Sequence, residues 1–441
     1  MDTSVLPIIL LLAVLMLAGL PIYASLGISG FVGIVSMLGF SSGIAQLKTF
    51  PYNNAADYLM MVVPMFILMG HMAFAAGISR DAYFVARKWL NRLPAGIGMA
   101  TTAAGAVFGA CCGSSVACAA TIGKAALPEM KAAGYDPSIA AGTVAAGGLL
   151  GIMIPPSTSL VFYATLTEVS VGDILLAGII PGILTTIIYC FGLAALSKIY
   201  PSLRPGQEVI SWKEKILALR SFWGVAILFG LAIGGIYGGI FTPTEGAAVG
   251  AIGSFLILIF RNTPETPNMK EKTKAAKTAL NDTIFNSCMI LIILIGSGLF
   301  SYYMVLAGVP AAINNWVMTL SVPPMMIVIF FLIALLPLGM FLDPFSIMVI
   351  SLPITFPVVC TGLGYNPLWY GVLVNLMIQI GMVSPPVGLN CYVIASLDPT
   401  ISLAQVFKGA AWFILFTIVV TAIVLVFPDV ATIIPAMAKG H

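Results

Sequence analysis

The chain has 441 residues, of which 60% are apolar and only 8% are charged, and its mean hydropathy is +1.07. A soluble domain carries roughly a quarter charged residues, and no folded chain hides this much apolar surface from water, so soluble enzymes, nucleic-acid binders and disordered chains are excluded. The formal net charge of +3 is too small to imply an anionic polymer as partner, and the composition describes an all-α polytopic membrane protein.

A spanning helix needs about 20 predominantly apolar residues. Met1-Asp2-Thr3-Ser4 lacks the basic stretch of a cleaved signal, so the first apolar run is expected to be a span. In chain order the candidate spans are 4–20, 22–40, 58–77, 138–167, 173–197, 221–239, 243–260, 281–307, 367–396 and 410–435. Two apolar stretches, 94–130 and 322–360, are each too long for one span and too short for two with a polar loop. The first has Gly109-Ala110-Cys111-Cys112-Gly113-Ser114-Ser115 at its middle; the second has Gly339 and Asp343-Pro344. Both read as re-entrant hairpins. Irregular backbone at membrane depth survives only inside protein or beside a water-filled cavity, so two hairpin tips predict a cavity.

Fourteen of the nineteen basic residues lie in three stretches, 80–92, 198–220 and 261–277. The last two include Arg204, Lys213 and Lys215, and Arg261, Lys270 and Lys274. Placing all three in the cytoplasm puts the N-terminus outside, opens the first hairpin inward and opens the second outward. The loop around Lys48 and the tail with Lys439 then fall outside. Residues 261–280 read as a cytoplasmic linker, and 211–220 as a short interfacial helix with Trp212 at the headgroups.

An offset of 230 residues brings motifs into register: Gly109 with Gly339, Gly134-Tyr135-Asp136-Pro137 with Gly364-Tyr365-Asn366-Pro367, and Gly151 to Pro156 with Gly381 to Pro386. Ala76-Gly77-Ile78 and Ala307-Gly308-Val309 agree within one residue of that offset. By the charge map the halves enter from opposite sides, which makes an inverted-topology repeat, an architecture of secondary transporters. The expected division is 1–220 and 221–441. Each half holds scaffold helices, a hairpin (94–130 or 322–360), a broken helix (138–167 or 367–396) and a following helix (173–197 or 410–435), and the first half adds the interfacial arm.

The paired prolines carry the chemistry. Pro155-Pro156 and Pro385-Pro386 lie inside spans, and proline removes a donor and clashes with the preceding turn, so each span must break. A break frees carbonyls, which suit Na⁺, and turns a half-helix N-terminus inward, which suits a carboxylate. Ser157, Thr158 and Ser159 flank the first break; Ser384 and Asn390 flank the second. With Ser114 and Ser115 at the first tip, the hydroxyl and amide donors Ser114, Ser115, Thr158 and Asn390 are the substrate-binding candidates. Asp343, the lone acid of the second hairpin, costs at least about 2.5 kcal/mol at that depth and is a functional candidate, with helix capping as its alternative role. Lys124 is expected to pair with Glu129, and Glu245 to be structural. No catalytic residue is expected. Only His71 and His441 are histidines, and the seven cysteines form no C-x-x-C pair, so no metal other than Na⁺ and no enzyme constellation suggests itself.

Gly113-Ser114-Ser115-Val116-Ala117, Pro128-Glu129-Met130, Gly147-Gly148, Ile154-Pro155-Pro156-Ser157, Ala177-Gly178-Ile179-Ile180-Pro181-Gly182, Thr242-Pro243-Thr244-Glu245 and Ser384-Pro385-Pro386-Val387-Gly388 together cover essentially the whole chain. This set resembles the large membrane subunit of tripartite ATP-independent periplasmic (TRAP) transporters, the DctM-like subunits. The resemblance implies Na⁺-driven import of an organic acid, such as a C4-dicarboxylate or sialic acid, across the bacterial inner membrane. It implies a periplasmic substrate-binding protein and a small four-helix membrane subunit, for which a first span near residue 4 leaves no room here. It implies an elevator motion, with one Na⁺ site at Gly113, Ser114, Ser115, Pro155 and Ser157 and another at Asp343, Gly381, Ser384, Pro385, Gly388 and Asn390. A stand-alone ion-coupled anion permease of the same hairpin architecture is the alternative.

Overall fold

The computed structural model describes residues 5–56, 58–203, 210–319 and 321–439; Arg204 and both chain ends lie outside them. The described residues are helical throughout, without a strand. The first half runs α1 (Val5–Leu17), α2 (Ile22–Leu38), α3 (Phe40–Ala55), α4 (Val62–Ala75), α5 (Ile78–Leu90), α6 (Gly96–Cys112), α7 (Ser115–Ala132), α8 (Pro137–Leu149), α9 (Thr158–Thr167) and α10 (Val171–Ile199). Between the halves lie α11 (Trp212–Leu219), α12 (Trp223–Phe229), the one-turn α13 (Gly235–Tyr237) and α14 (Pro243–Phe260). The second half continues with α15 (Met269–Leu306), α16 (Val309–Thr319), α17 (Pro324–Phe341), α18 (Pro344–Phe356), α19 (Pro367–Met382), α20 (Leu389–Leu397), α21 (Leu403–Val426) and α22 (Asp429–Lys439). Among the described residues seven helices are long and apolar enough to cross a bilayer, or eight if α4 and α5, bent by 64°, count as one span.

Both hairpins and both broken helices are present: α6–α7 and α17–α18, then α8–α9 and α19–α20. The shared G-Y-x-P motif explains how each hairpin hands over to its broken helix. Gly134 and Gly364 take left-handed φ of 77° and 75°, which a residue with a Cβ adopts only under strain. The next helix is then capped by an Asx side chain. Asp136 Oδ1 accepts from the Ser138 and Ile139 amides at 2.9 and 3.2 Å, and Asn366 Oδ1 from Leu368 and Trp369 at 2.8 and 3.4 Å. The proline that follows sits at the first turn, where its missing N–H costs nothing.

Glycines set how closely these elements approach. A Cβ on Gly109 would lie 2.4 Å from the Gly151 Cα, and one on Gly105 2.4 Å from the Gly147 carbonyl oxygen. In the second half the same contact is Gly339 against the Gly381 Cα, at 2.9 Å. Each hairpin therefore lies directly on the middle of its own broken helix, so its tip ends half-way along a span. Elsewhere Gly30 of α2 packs on the α15 backbone at Phe300, and α4 packs along α14.

Several boundaries differ from the expectation. Residues 211–220 do not stand apart as a short helix, because α11 runs through a 3₁₀ turn at Arg220–Phe222 into α12 and on through a π-turn at Gly230–Gly234 into α13, a stretch of 26 residues from Trp212 to Tyr237. Trp212 remains 70% exposed, edge-to-face on Trp89. The linker is irregular only to residue 268, since Asn268 caps α15 and the charged residues 269–280 form its first turns. The region around Lys48 is helix α3 rather than a loop, and 410–435 divides at Phe427 into α21 and α22.

Candidate functional site

The first hairpin tip is a two-residue reversal. Gly113 ends α6 with φ of 63°, and Ser114 starts α7 by accepting the Ala117 amide at 3.4 Å. The tip is fastened to the first break, because the buried Thr158 hydroxyl donates to the Gly113 carbonyl at 2.6 Å. A Cβ on Gly113 would meet Thr158 Cγ2 at 3.0 Å and the Pro156 carbonyl at 3.4 Å. Within the break Ser157 does two jobs. Its Oγ donates to the Ile152 carbonyl at 2.6 Å and caps α9 by accepting the Leu160 amide at 3.3 Å. Gly113, Pro155, Ser157 and Thr158 are thus gathered at one place, all buried, with Ser114 half-buried beside them. Gly178 and Gly182 of α10 close over it, where a Cβ would meet the Met153 carbonyl at 2.7 Å and Ile154 at 2.5 Å. That contact gives the Ala177-to-Gly182 motif its physical reason.

The second tip has no left-handed glycine. Asp343 caps α18, its Oδ1 accepting the Phe345 and Ser346 amides at 3.0 and 3.1 Å and its Oδ2 the Ser346 hydroxyl at 2.5 Å. A carboxylate offers about four lone-pair sites, so three are in use. The tip is fastened by backbone, with the Gly388 amide donating to the Met340 carbonyl at 3.3 Å. Gly388 starts α20 in the left-handed region, and the Ser384 hydroxyl donates to the Ile380 carbonyl at 2.7 Å. Pro385 and Pro386 are exposed, unlike Pro155 and Pro156. Both Pro–Pro peptide bonds are cis.

Two predicted residues reach across to the other half. Ser115 donates to the Met382 sulfur at 3.6 Å, and Asn390 Nδ2 to the Ala145 carbonyl at 3.1 Å. Two further buried amides, Asn375 and Gln379, escaped the sequence reading. Asn375 Nδ2 donates to the Ile152 carbonyl at 2.5 Å, and its Oδ1 accepts from the Ser159 hydroxyl at 2.5 Å. Both polar atoms of Gln379, and Asn390 Oδ1, have no hydrogen-bond partner among the described residues. A signal was available, for two amides four residues apart interrupt an otherwise apolar span.

A cavity of about 580 Å³ opens between the α7 arm of the first hairpin, α4, α5, α15 and residues 265–266. Pockets for small ligands run from about 300 to 1,000 Å³. It lies on the side where the basic stretches cluster, and Lys124 and Lys274 line it with Asp282 and Glu271. Lys124 does not pair with Glu129. That carboxylate is held instead by Arg87 and by the Tyr83 hydroxyl at 2.6 Å, both from α5. The α5 helix is a crossbar of ion pairs. Asp81 binds Arg261, Arg80 binds Glu265 at 2.9 Å, and Lys88 lies 3.8 Å from Glu214. Glu245 closes a capping box with Thr242 at the start of α14. No cluster of three or more His, Cys, Asp or Glu residues suited to a metal occurs among the described residues.

Residues 9–430 match the family model described as tripartite ATP-independent periplasmic transporter, DctM component. The chain is 33% identical over 404 residues to the C4-dicarboxylate TRAP transporter large permease protein DctM of Rhodobacter capsulatus, covering 88% of this chain and 89% of that one. It is 26% identical over 430 residues to the sialic acid TRAP transporter large permease protein SiaM of Vibrio cholerae, covering 97% of each. In fold it is similar to the Alcanivorax borkumensis YdaH transporter, with a TM-score of 0.59 at 13% identity over 88% of this chain and 90% of that one. The helix breaks, the hairpins seated on them and a match running through nearly the whole chain lead to one conclusion: this multi-pass membrane protein belongs to the DctM family, the large permease component of TRAP transporters.

Proposed function

We propose that this permease imports an organic acid across the bacterial inner membrane, driven by Na⁺. The observation that carries the reading is the seating of two hairpin tips against two helix breaks, which concentrates hydroxyl and carbonyl oxygens at both. A C4-dicarboxylate is the first candidate, from the DctM relative, and a sialic acid the second, from SiaM. A periplasmic binding protein would deliver the acid, and a small membrane subunit would complete the transporter.

The two broken helices are stitched to each other by Ser159–Asn375, Asn375–Ile152 and Asn390–Ala145, and each holds its own hairpin tip, through Thr158–Gly113 and Gly388–Met340. On this reading these elements slide together as an elevator against α2, α4, α14 and α15. The cavity beside Lys124 is then the cytoplasmic exit, with α5 as the hinge arm between moving and fixed parts. Half-helix N-termini and the Ser and Asn donors hold the carboxylate, so Lys124→Ala impairs uptake less than Ser114→Ala or Asn390→Ala. Initial uptake into proteoliposomes, with the cognate binding protein and small subunit, tests the scheme. Uptake of an organic acid that rises with an inward Na⁺ gradient supports it. Uptake unchanged when the gradient is collapsed, at fixed voltage, overturns the Na⁺ coupling.

A further inference from the structure

The two halves differ at three buried positions around the breaks. The 230-residue offset pairs Ala145, Leu149 and Leu160 with Asn375, Gln379 and Asn390. All six are 0% exposed. An inverted repeat can build two like cation sites from like residues, but a single asymmetric acid sits between the halves only once. Carboxamides present in one half alone are therefore where such a molecule is distinguished.

The three amides are not equally available. Asn375 is engaged at both ends, with Ile152 and Ser159. Asn390 uses its Nδ2 on Ala145 and leaves Oδ1 unpaired, and Gln379 leaves both atoms unpaired. At 3.6 residues per turn, Asn375, Gln379 and Met382 fall within a sector of about 60° on α19. Asn375 touches Ile152 at the first break, and Met382 takes the Ser115 hydroxyl of the first tip. Gln379 thus sits on the face of α19 that looks into the junction of the halves.

We propose that Gln379 recognises a hydroxyl group on the transported acid; the proposal rests on the reading of the chain as an organic-acid permease. The unpaired atoms of Gln379 are its N–H₂ donor and its acceptor oxygen. A carboxylate only accepts and would leave the oxygen unpaired. A sodium ion would take the oxygen but not the amide hydrogens. A hydroxyl both donates and accepts, so it satisfies both ends of the amide. A site built to hydrogen-bond a hydroxyl rejects the analogue that lacks it far more strongly than a hydrophobic pocket rejects a missing methylene, by up to about 10⁴–10⁵-fold.

The test measures Na⁺-dependent binding to the purified full-length chain with its small subunit, using acids that differ only in one hydroxyl: malate against succinate, lactate against propionate, glycolate against acetate. The wild type should bind the hydroxylated member of at least one pair tenfold or more tightly. Gln379→Leu, which installs the residue found at position 149, should abolish that preference while the deoxy acid and the Na⁺ response are unchanged. If Gln379→Leu does not insert, Gln379→Met keeps the length and reads the same outcome. Equal affinity for both members of every pair in the wild type overturns the proposal and leaves Gln379 to a bound water. A preference that survives in the variant, or a shifted Na⁺ response with the preference intact, also overturns it. Failure of every one of these acids to bind in Na⁺ is a different result, and it overturns the reading of the substrate as a C4-dicarboxylate or similar small acid.

Discussion

The two hairpin–break pairs share a backbone plan and differ in what locks them. At the first, a side chain does the locking: Thr158 donates to Gly113, Ser157 caps α9, and α10 closes over the prolines. At the second, the lock is one backbone hydrogen bond from Gly388 to Met340, α20 has no side-chain cap, and Pro385 and Pro386 stay exposed. The first contact is also longer, with two glycine crossings against one. One plan has therefore yielded a sealed pair and a looser, more open pair. The looser one carries the acid, Asp343, and the unpaired amides.

Sidedness gives the largest, all-or-none effect. Opposed insertion places residue 270 inside and α16 outside. In a background lacking the exposed Cys288, Trp316→Cys, at an exposed position, should label from the periplasm and Lys270→Cys only after permeabilisation. Labelling of both from one side would break the comparison at its root.

Packing comes next. Gly109→Ala places a Cβ 2.4 Å from backbone, whereas Gly339→Ala places one at 2.9 Å. Overpacking of this kind costs about 1–3 kcal/mol, occasionally more, and the first variant should lose the larger share of its thermal stability in detergent. Equal losses would mean the two contacts are equally tight.

Thr158→Val tests the side-chain lock. It strands the Gly113 carbonyl, and a buried unsatisfied group costs about 1–3 kcal/mol. With Cys112 as the remaining thiol, its labelling rate should rise about tenfold, since 1.4 kcal/mol is a factor of ten. No change would show that glycine packing alone holds the tip.

Asp343→Asn retains the cap through Oδ1 and removes the charge. We expect unchanged stability and a several-fold higher Na⁺ concentration for half-maximal uptake. An unchanged Na⁺ curve would return Asp343 to helix capping.

The smallest effect is expected at the exposed tie between Lys131 and Asp398, 3.1 Å apart. The Thr400 hydroxyl first, then the Thr400 amide and Lys131, hold the Asp398 carboxyl down at about 2, from an ordinary 3.8. A depressed carboxylate stabilises the fold above its unfolded value and loses that contribution as pH falls through the folded one. Lys131→Met should therefore lose its small contribution near neutrality, and that difference from the wild type should shrink as pH falls below 3.8 and vanish by about 2.

The sequence by itself determined the membrane class, both hairpins, both breaks and the offset that relates them. Those features are written in local chemistry. Apolar length demands a span, Pro-Pro forbids an unbroken helix, and Gly-Tyr-Asx-Pro both ends one helix and caps the next. Gly113 and Ser157 could be chosen because a turn and a break need them. Tertiary structure alone decided the partners. Ser115 belongs beside Met382 and Asn390 beside Ala145, each in the opposite half, and Glu129 answers to Arg87 on α5 rather than to Lys124, five residues away in the chain. The continuity of α11 with α12 and the helical start of α15 also lay beyond local reading, because charged and interfacial residues fit a helix as readily as a loop. Asn375 and Gln379 mark the boundary. Their chemistry was visible as two amides in an apolar run, but whether each was satisfied depended on carbonyls more than 200 residues away, which only the packed body of both halves supplies.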